Sequence, residues 1–186
     1  MRKLIIFLFS AFLPFVFAQE LLINGDFEQE LTVGWNQLIN GSGTHFMNRD
    51  VSYQPDPDYE AYAYQWDNPG WARLSQIVDV PGPLLELSFT ACFAESGGSS
   101  TCWPAACFSI CYLNADDTVL GETRYVFSTY DTWTTTPTRN LITVTDTNWN
   151  TFNLNIAEEL STNLPGVNVG EVVKVEVALY AYTDGG

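Results

Sequence analysis

The chain has 186 residues, 22 acidic against seven basic, for a formal net charge of −15. That length allows one domain of ordinary size with a full core. The charge excludes nucleic-acid binding, which rests on Lys and Arg neutralising phosphates, and it excludes attraction to anionic membrane surfaces.

At the amino end, Arg2 and Lys3 precede an apolar run over residues 4–17, and Ala18 closes it as a small, cleavage-type residue. The run is short for a bilayer span, and Pro14 interrupts it. Residues 1–18 read as a signal peptide, so cleavage starts the mature chain at Gln19. No later run in the sequence is long and apolar enough to span. The expected product is secreted or held at the cell surface, with no membrane insertion after cleavage. Its acids are scattered, so no acidic tail accounts for the charge, which suits solubility in an extracellular setting.

Residues 22–35, LINGDFEQELTVGW, open the domain expected at 19–186. They read as a strand, a tight turn and a second strand. Asn24-Gly25-Asp26 is the turn signal, since Gly tolerates positive φ and Asn and Asp bond back to nearby backbone. Phe27 is a core-type aromatic between Asp26 and Glu28. Two carboxylates beside turn carbonyls offer the oxygen ligands that suit Ca²⁺. The alternative is that both acids stay in water.

Helical periodicity is nearly absent further along. Short alternating segments separated by Gly, Pro, Asn and Asp predict a sandwich or barrel. Asn40-Gly41-Ser42-Gly43 is a turn or hairpin signal. Residues 54–59 form a loop, because two prolines deny them a central-strand role. Residues 60–66 form a strand with Tyr62, Tyr64 and Trp66 on one side, followed by a turn and Trp71. Residues 73–80 form the next strand. Segments 84–94 and 105–113 look like a hairpin pair, with Leu87, Phe89, Ala91 and Phe93 as the apolar face of one strand and Ala106, Phe108, Ile110 and Tyr112 as that of the other. Strands follow at 119–127, 141–144 and 149–156, and residues 156–160 read as a loop or single turn. The clearest strand is 172–182, with Val173, Val175, Val177, Leu179 and Ala181 on one face and Tyr180 and Tyr182 on the other.

Three stretches taken together resemble galactose-binding-like jelly-roll modules, the fold of carbohydrate-binding module families 4, 9, 16 and 22. They are Asn-Gly-Asp-Phe-Glu with Gly34-Trp35, the segment LSQIVDVPGPLLELS at 74–88, and WNTFNLNI at 149–156. The resemblance implies an all-β, two-sheet antiparallel β-sandwich without catalysis. It implies a structural Ca²⁺ near Asp26 and Glu28, and sugar binding on one sheet face. It also implies a closing strand, which the hairpin-type ending Asp184-Gly185-Gly186 announces but does not supply. The chain is therefore expected to be a fragment, truncated at its carboxyl end, of a longer protein with further domains.

Four cysteines in an exported chain suggest two disulfides. Cys92 lies on the polar face of its strand, and Cys107 and Cys111 on the polar face of the next. If these strands pair, Cys92 can reach either: Cys92–Cys111 leaves Cys102 and Cys107 to close a short loop and is favoured, while Cys92–Cys107 leaves Cys102 the harder span to Cys111. The spacing is not a zinc pattern, and the lone His45 sits in a polar loop, so neither a thiol metal site nor a nucleophilic triad is expected.

Aromatic platforms carry the functional expectation, because sugars stack apolar C–H faces on Trp and Tyr rings. The candidates are Tyr62, Tyr64 and Trp66 on their strand, and Trp71 and Trp103 in adjoining loops. Core packing is the competing role for the two tyrosines, while Trp35 and Trp149 read as packing residues. The expected partner is a polysaccharide or cell-surface glycan. The competing class is a structural or adhesive β-module for protein–protein contact.

Overall fold

The computed structural model describes residues 20–51, 58–82, 84–99, 102–130 and 132–185. The expected signal peptide and residues 54–57 of the expected loop lie outside the described residues. The strands are β1 (Asn36–Gly41), β2 (Thr44–Asp50), β3 (Glu60–Trp66), β4 (Gly70–Asp79), β5 (Glu86–Ala91), β6 (Pro104–Leu113), β7 (Val119–Phe127), β8 (Arg139–Thr143), β9 (Asn150–Asn155) and β10 (Lys174–Thr183). A helix, α1 (Ile156–Thr162), follows β9.

One layer is a six-stranded sheet in the order β1-β4-β10-β6-β7-β8. The other consists of two ribbons, β2–β3 and β5–β9. This is the expected all-β sandwich, with one departure: β8 runs parallel to β7. Period-two alternation builds the core. Leu74, Ile110, Tyr112 and Val177 point inward from the large sheet and are almost wholly buried. Burial of each such aliphatic side chain contributes about 1.5–3 kcal/mol. From the opposite layer, Phe89 stacks on Phe108 at 3.8 Å between ring centroids and on Phe152 at 5.1 Å.

The expected hairpin of segments 84–94 and 105–113 does not form. Strand β5 pairs with β9, and β6 lies between β10 and β7 in the other layer. Their apolar faces meet across the core rather than side by side, and the same alternation serves either arrangement. This removes the basis for the expected disulfides. Cys92, Cys102, Cys107 and Cys111 are all free thiols. Cys92 is exposed just past β5, while Cys107 and Cys111 are buried two positions either side of Ser109 in β6.

The amino-terminal stretch is also different from its expectation. It is a run of tight turns, not two strands. Asn24 and Phe27 take left-handed φ values of 53° and 57°, which a ladder cannot accommodate. Buried Asn24 organises the turns. Its side-chain amide donates to the Gln29 carbonyl, its Oδ1 accepts from the Gln29 N–H, and its carbonyl accepts from Trp35 Nε1. Ile23 ties the knot to β4 through reciprocal bonds with the Gln76 amide. Gly34 is required here, since a Cβ would come 2.8 Å from the Ile23 carbonyl oxygen.

Residues 156–160 are longer than a single turn. Asn155 caps α1 by accepting from the Glu158 N–H, and Glu158 and Glu159 complement the helix dipole in the first turn. Glu159 is buried and accepts from Thr123 Oγ1, Asn140 Nδ2 and Asn163 Nδ2 at 2.6, 2.8 and 2.6 Å, fastening α1 to β7 and β8.

Candidate functional site

The outer face of the six-stranded sheet follows from the parity of its strands. Cross-strand register aligns Trp71 with Tyr182 and then Ala105, and Arg73 with Tyr180, Cys107 and Val126. The next rows are Ser75, Ala178, Ser109 and Arg124, then Ile77, Glu176, Cys111 and Glu122, with Arg139 beyond on β8. One end of the face is therefore aromatic and the other ionic, over a floor of small residues.

Two loop tryptophans complete the aromatic end. Trp103 precedes β6, and its N–H donates to Asp184 Oδ1 at 2.6 Å. Its ring lies 4.8 Å from Tyr182 and 5.4 Å from Trp133, which comes from the segment between β7 and β8. Trp133 lies 5.8 Å from Tyr180, and Trp71 lies 6.0 Å from Tyr180. All five rings are partly buried, so each keeps some surface toward solvent. The guanidinium carbon of Arg124 sits 4.2 Å from the Trp133 ring centroid and 5.6 Å from that of Tyr180.

The ionic end is paired within itself. Arg73 donates to Glu176 at 2.7 Å, Glu122 takes Arg124 at 2.8 Å, and Arg139 bonds the other oxygen of Glu122. These contacts hold the planar donors in place, with Arg139 a third exposed. Beneath them, burial pushes the Cys111 thiol up to about 11 and raises Cys107 further. Burial also pushes the Tyr180 hydroxyl up to about 12. Both thiols are protonated and inert at neutral pH, so they act as packing.

The expected aromatic candidates divide between two faces. Trp71 and Trp103 lie on the large sheet. Tyr62, Tyr64 and Trp66 lie on the outer side of the β2–β3 ribbon, where Phe46 is cross-strand to Tyr64. Tyr64 and Trp66 stack with ring planes 6° apart at 6.2 Å, and both rings are exposed. Trp133, Tyr180, Tyr182, Arg73 and Arg124 extend the expected set. Strand parity marks Tyr180, Tyr182 and Arg73. Nothing in the sequence marks Trp133, because a loop places it.

Asp26 and Glu28 are exposed on the amino-terminal turns. The Glu28 carboxylate accepts the Tyr59 N–H at 3.0 Å, and Asp26 accepts the Glu28 N–H at 3.4 Å. Among the described residues no group of three or more His, Cys, Asp or Glu side chains converges as a metal would need. His45 is tied to the Gly43 carbonyl at 2.9 Å.

No protein-family model and no curated protein matches the sequence. Among solved structures, the chain is similar to one of the carbohydrate-binding modules from the β-sandwich superfamily described as promiscuous in specificity. Identity is 13% with a TM-score of 0.50, over 82% of this chain and 52% of that one. The chain thus spans about half the length of that protein, and the likeness is one of fold. Two others match at lower scores. The family 11 carbohydrate-binding module of cellulase Lic26A-Cel5E from Clostridium thermocellum shows 11% identity and a TM-score of 0.43, over 90% and 92% of the two chains. The enzymatically active domain of bacteriophage CBA120 tailspike protein 4 shows 11% and 0.43, over 85% of this chain and 18% of that one.

Proposed function

We propose that this chain is a secreted, non-catalytic carbohydrate-binding module that holds a polysaccharide or cell-surface glycan by aromatic stacking. The observation that carries this reading is the grouping of Trp71, Trp103, Trp133, Tyr180 and Tyr182 beside fixed arginines on one sheet face. Aromatic rings receive the apolar faces of pyranose units, and Arg73, Arg139 and Glu122 bond their hydroxyls. The shared sandwich fold of a carbohydrate-binding module supports the same reading. Tyr62, Tyr64 and Trp66 form a separate, smaller aromatic surface.

The test is affinity gel electrophoresis of the exported protein through a panel of soluble polysaccharides. Retardation by one glycan, abolished by Trp71→Ala or Trp133→Ala and kept by Trp66→Ala, assigns the binding to the large sheet. Loss on Trp66→Ala alone moves it to the ribbon. A folded protein retarded by no glycan would leave the module structural, engaged with other proteins.

A further inference from the structure

Strand β1 forms one border of the large sheet and, among the described residues, pairs with β4 alone. All six of its residues are exposed. Such a border carries an open row of backbone donors and acceptors that can recruit another strand, and charge, proline or a bulge ordinarily guards it. Arg49 and Asp50 in β2, Glu86 in β5 and Arg139 in β8 serve that purpose on other borders. Strand β9 is uncharged, but its exposed side chains are Thr and Asn. Strand β1, NQLING, has no charge and exposes Leu38 and Ile39.

Three features select a second copy of this chain as the partner. Copies of a protein with a net charge of −15 repel one another over most of their surface. Yet none of the 22 acids lies in β1 or in residues 70–75 of β4, with which it pairs. The strand also reads onto itself when turned end for end about Leu38. Asn36 then meets the partner's Asn40, Gln37 meets the partner's Ile39, and Leu38 meets its own equivalent. Finally, the register with β4 puts Asn36, Leu38 and Asn40 on the outer face, level with Ser75, Arg73 and Trp71. On that face the paired strands present a leucine pair flanked by amide pairs, and each amide both donates and accepts.

We propose that β1 is a self-association edge: two copies pair β1 to β1, antiparallel and centred on Leu38, and join their large sheets into one. The two-fold axis stands normal to the sheet, so both aromatic faces look the same way. Trp71 lies one strand in from β1, which sets the β4 strands of the two copies three strand spacings apart, about 14 Å. One polysaccharide chain would then engage both copies and gain avidity. That consequence rests on the glycan reading, and the pairing itself does not. Few residues take part, so the association is weak and reversible.

Sedimentation equilibrium of the full chain, without glycan, should show the average mass rising from monomer toward dimer between micromolar and millimolar concentration. Leu38→Lys sets two ammonium groups against each other at the axis. It should lower the association constant by about tenfold or more while far-ultraviolet circular dichroism is unchanged. Leu38→Cys should yield a covalent dimer on mild oxidation, beyond any formed by the unsubstituted protein. Asn36→Cys should do so only when mixed with Asn40→Cys. A protein monomeric at every concentration, a dimer that Leu38→Lys leaves intact, or Asn36→Cys cross-linking to itself as readily as Leu38→Cys would overturn the proposal. None of these readouts needs a glycan, so a failure of the glycan reading is told apart from a failure of the pairing.

Discussion

Arg124 lies over the face of Trp133, its guanidinium carbon 4.2 Å from the ring centroid, while Glu122 takes its Nη2 at 2.8 Å. The arginine thus couples the ionic half of the sheet face to the aromatic half. It fixes the tilt of a ring that arrives on a loop. Replacing it with lysine keeps a charge but removes the planar group that matches both ring and carboxylate. Arg124→Lys should weaken glycan retardation by about three- to tenfold, in line with a cation–π contribution of about 0.5–2 kcal/mol. Tryptophan fluorescence should shift in parallel, and circular dichroism in the far ultraviolet should not.

The buried Glu159 carboxylate collects three donors from β7, β8 and the end of α1. Tyr112 extends the chain through Thr123 Oγ1 at 3.1 Å. Removing the acceptor leaves Thr123 and two amides without it in the interior. Glu159→Ala should cost about 2–4 kcal/mol, read as a lower urea midpoint with little change in slope.

Asn24 holds the amino-terminal turns with both ends of its amide. Asn24→Ala removes these bonds and places a methyl group at a left-handed φ of 53°. A loss of about 2–3 kcal/mol is expected in chemical unfolding. Asn24→Asp keeps the acceptor for Gln29 N–H and should fall between the two.

Thiol chemistry separates the cysteines by depth. Cys92 and partly exposed Cys102 should react with a disulfide reagent within minutes at pH 8 in the folded protein. Cys107 and Cys111 should react only after denaturant is added. Four reactive thiols in denaturant without reductant would establish that all are free. None would return the protein to the two-disulfide arrangement expected from its sequence, and two would mean a single disulfide.

Alkaline stability follows from the same burial. The folded state holds the Cys111 proton up to about 11 and the Tyr180 proton up to about 12, against ordinary values of 9.0 and 10.0. Above the ordinary values the unfolded chain releases these protons and the folded chain does not, so rising pH favours unfolding. Stability should fall steadily from about pH 9 to pH 12. Cys111→Ser should flatten the lower part of that slope, and phenolate absorbance should show Tyr180 titrating late.

Alternation made the faces of the strands legible. The pattern in residues 172–182 places Tyr180 and Tyr182 opposite Val175 and Val177, as the structure has them. Neighbours were not legible, because alternation assigns a residue to a face and not to a partner. Phe89 and Phe108 satisfy the same pattern whether their strands pair or meet across a core. The expected Cys92–Cys111 bond rested on the first arrangement, and the structure has the second. Trp133 was out of reach for another: a loop carries it, and its position depends on contacts with Arg124 and with Trp103, which alternation does not mark. The tyrosine stripe on β3 was recognised as an aromatic face, but its place on the ribbon, apart from Trp71, follows from the layer crossing at residues 67–69.

Strand β10 follows every other described strand in sequence, yet it stands in the middle of the large sheet, between β4 and β6. Until its residues leave the ribosome, β1 and β4 have no lateral connection to β6, β7 and β8. The two halves are a pair of incomplete sheets, each exposing an adhesive border. The keystone is the last of the six strands to be made, so the large sheet stays open until β10 has been synthesised. It also follows that loss of a few residues from β10 would part the sheet down its centre, where the same loss from β1 would only trim its margin.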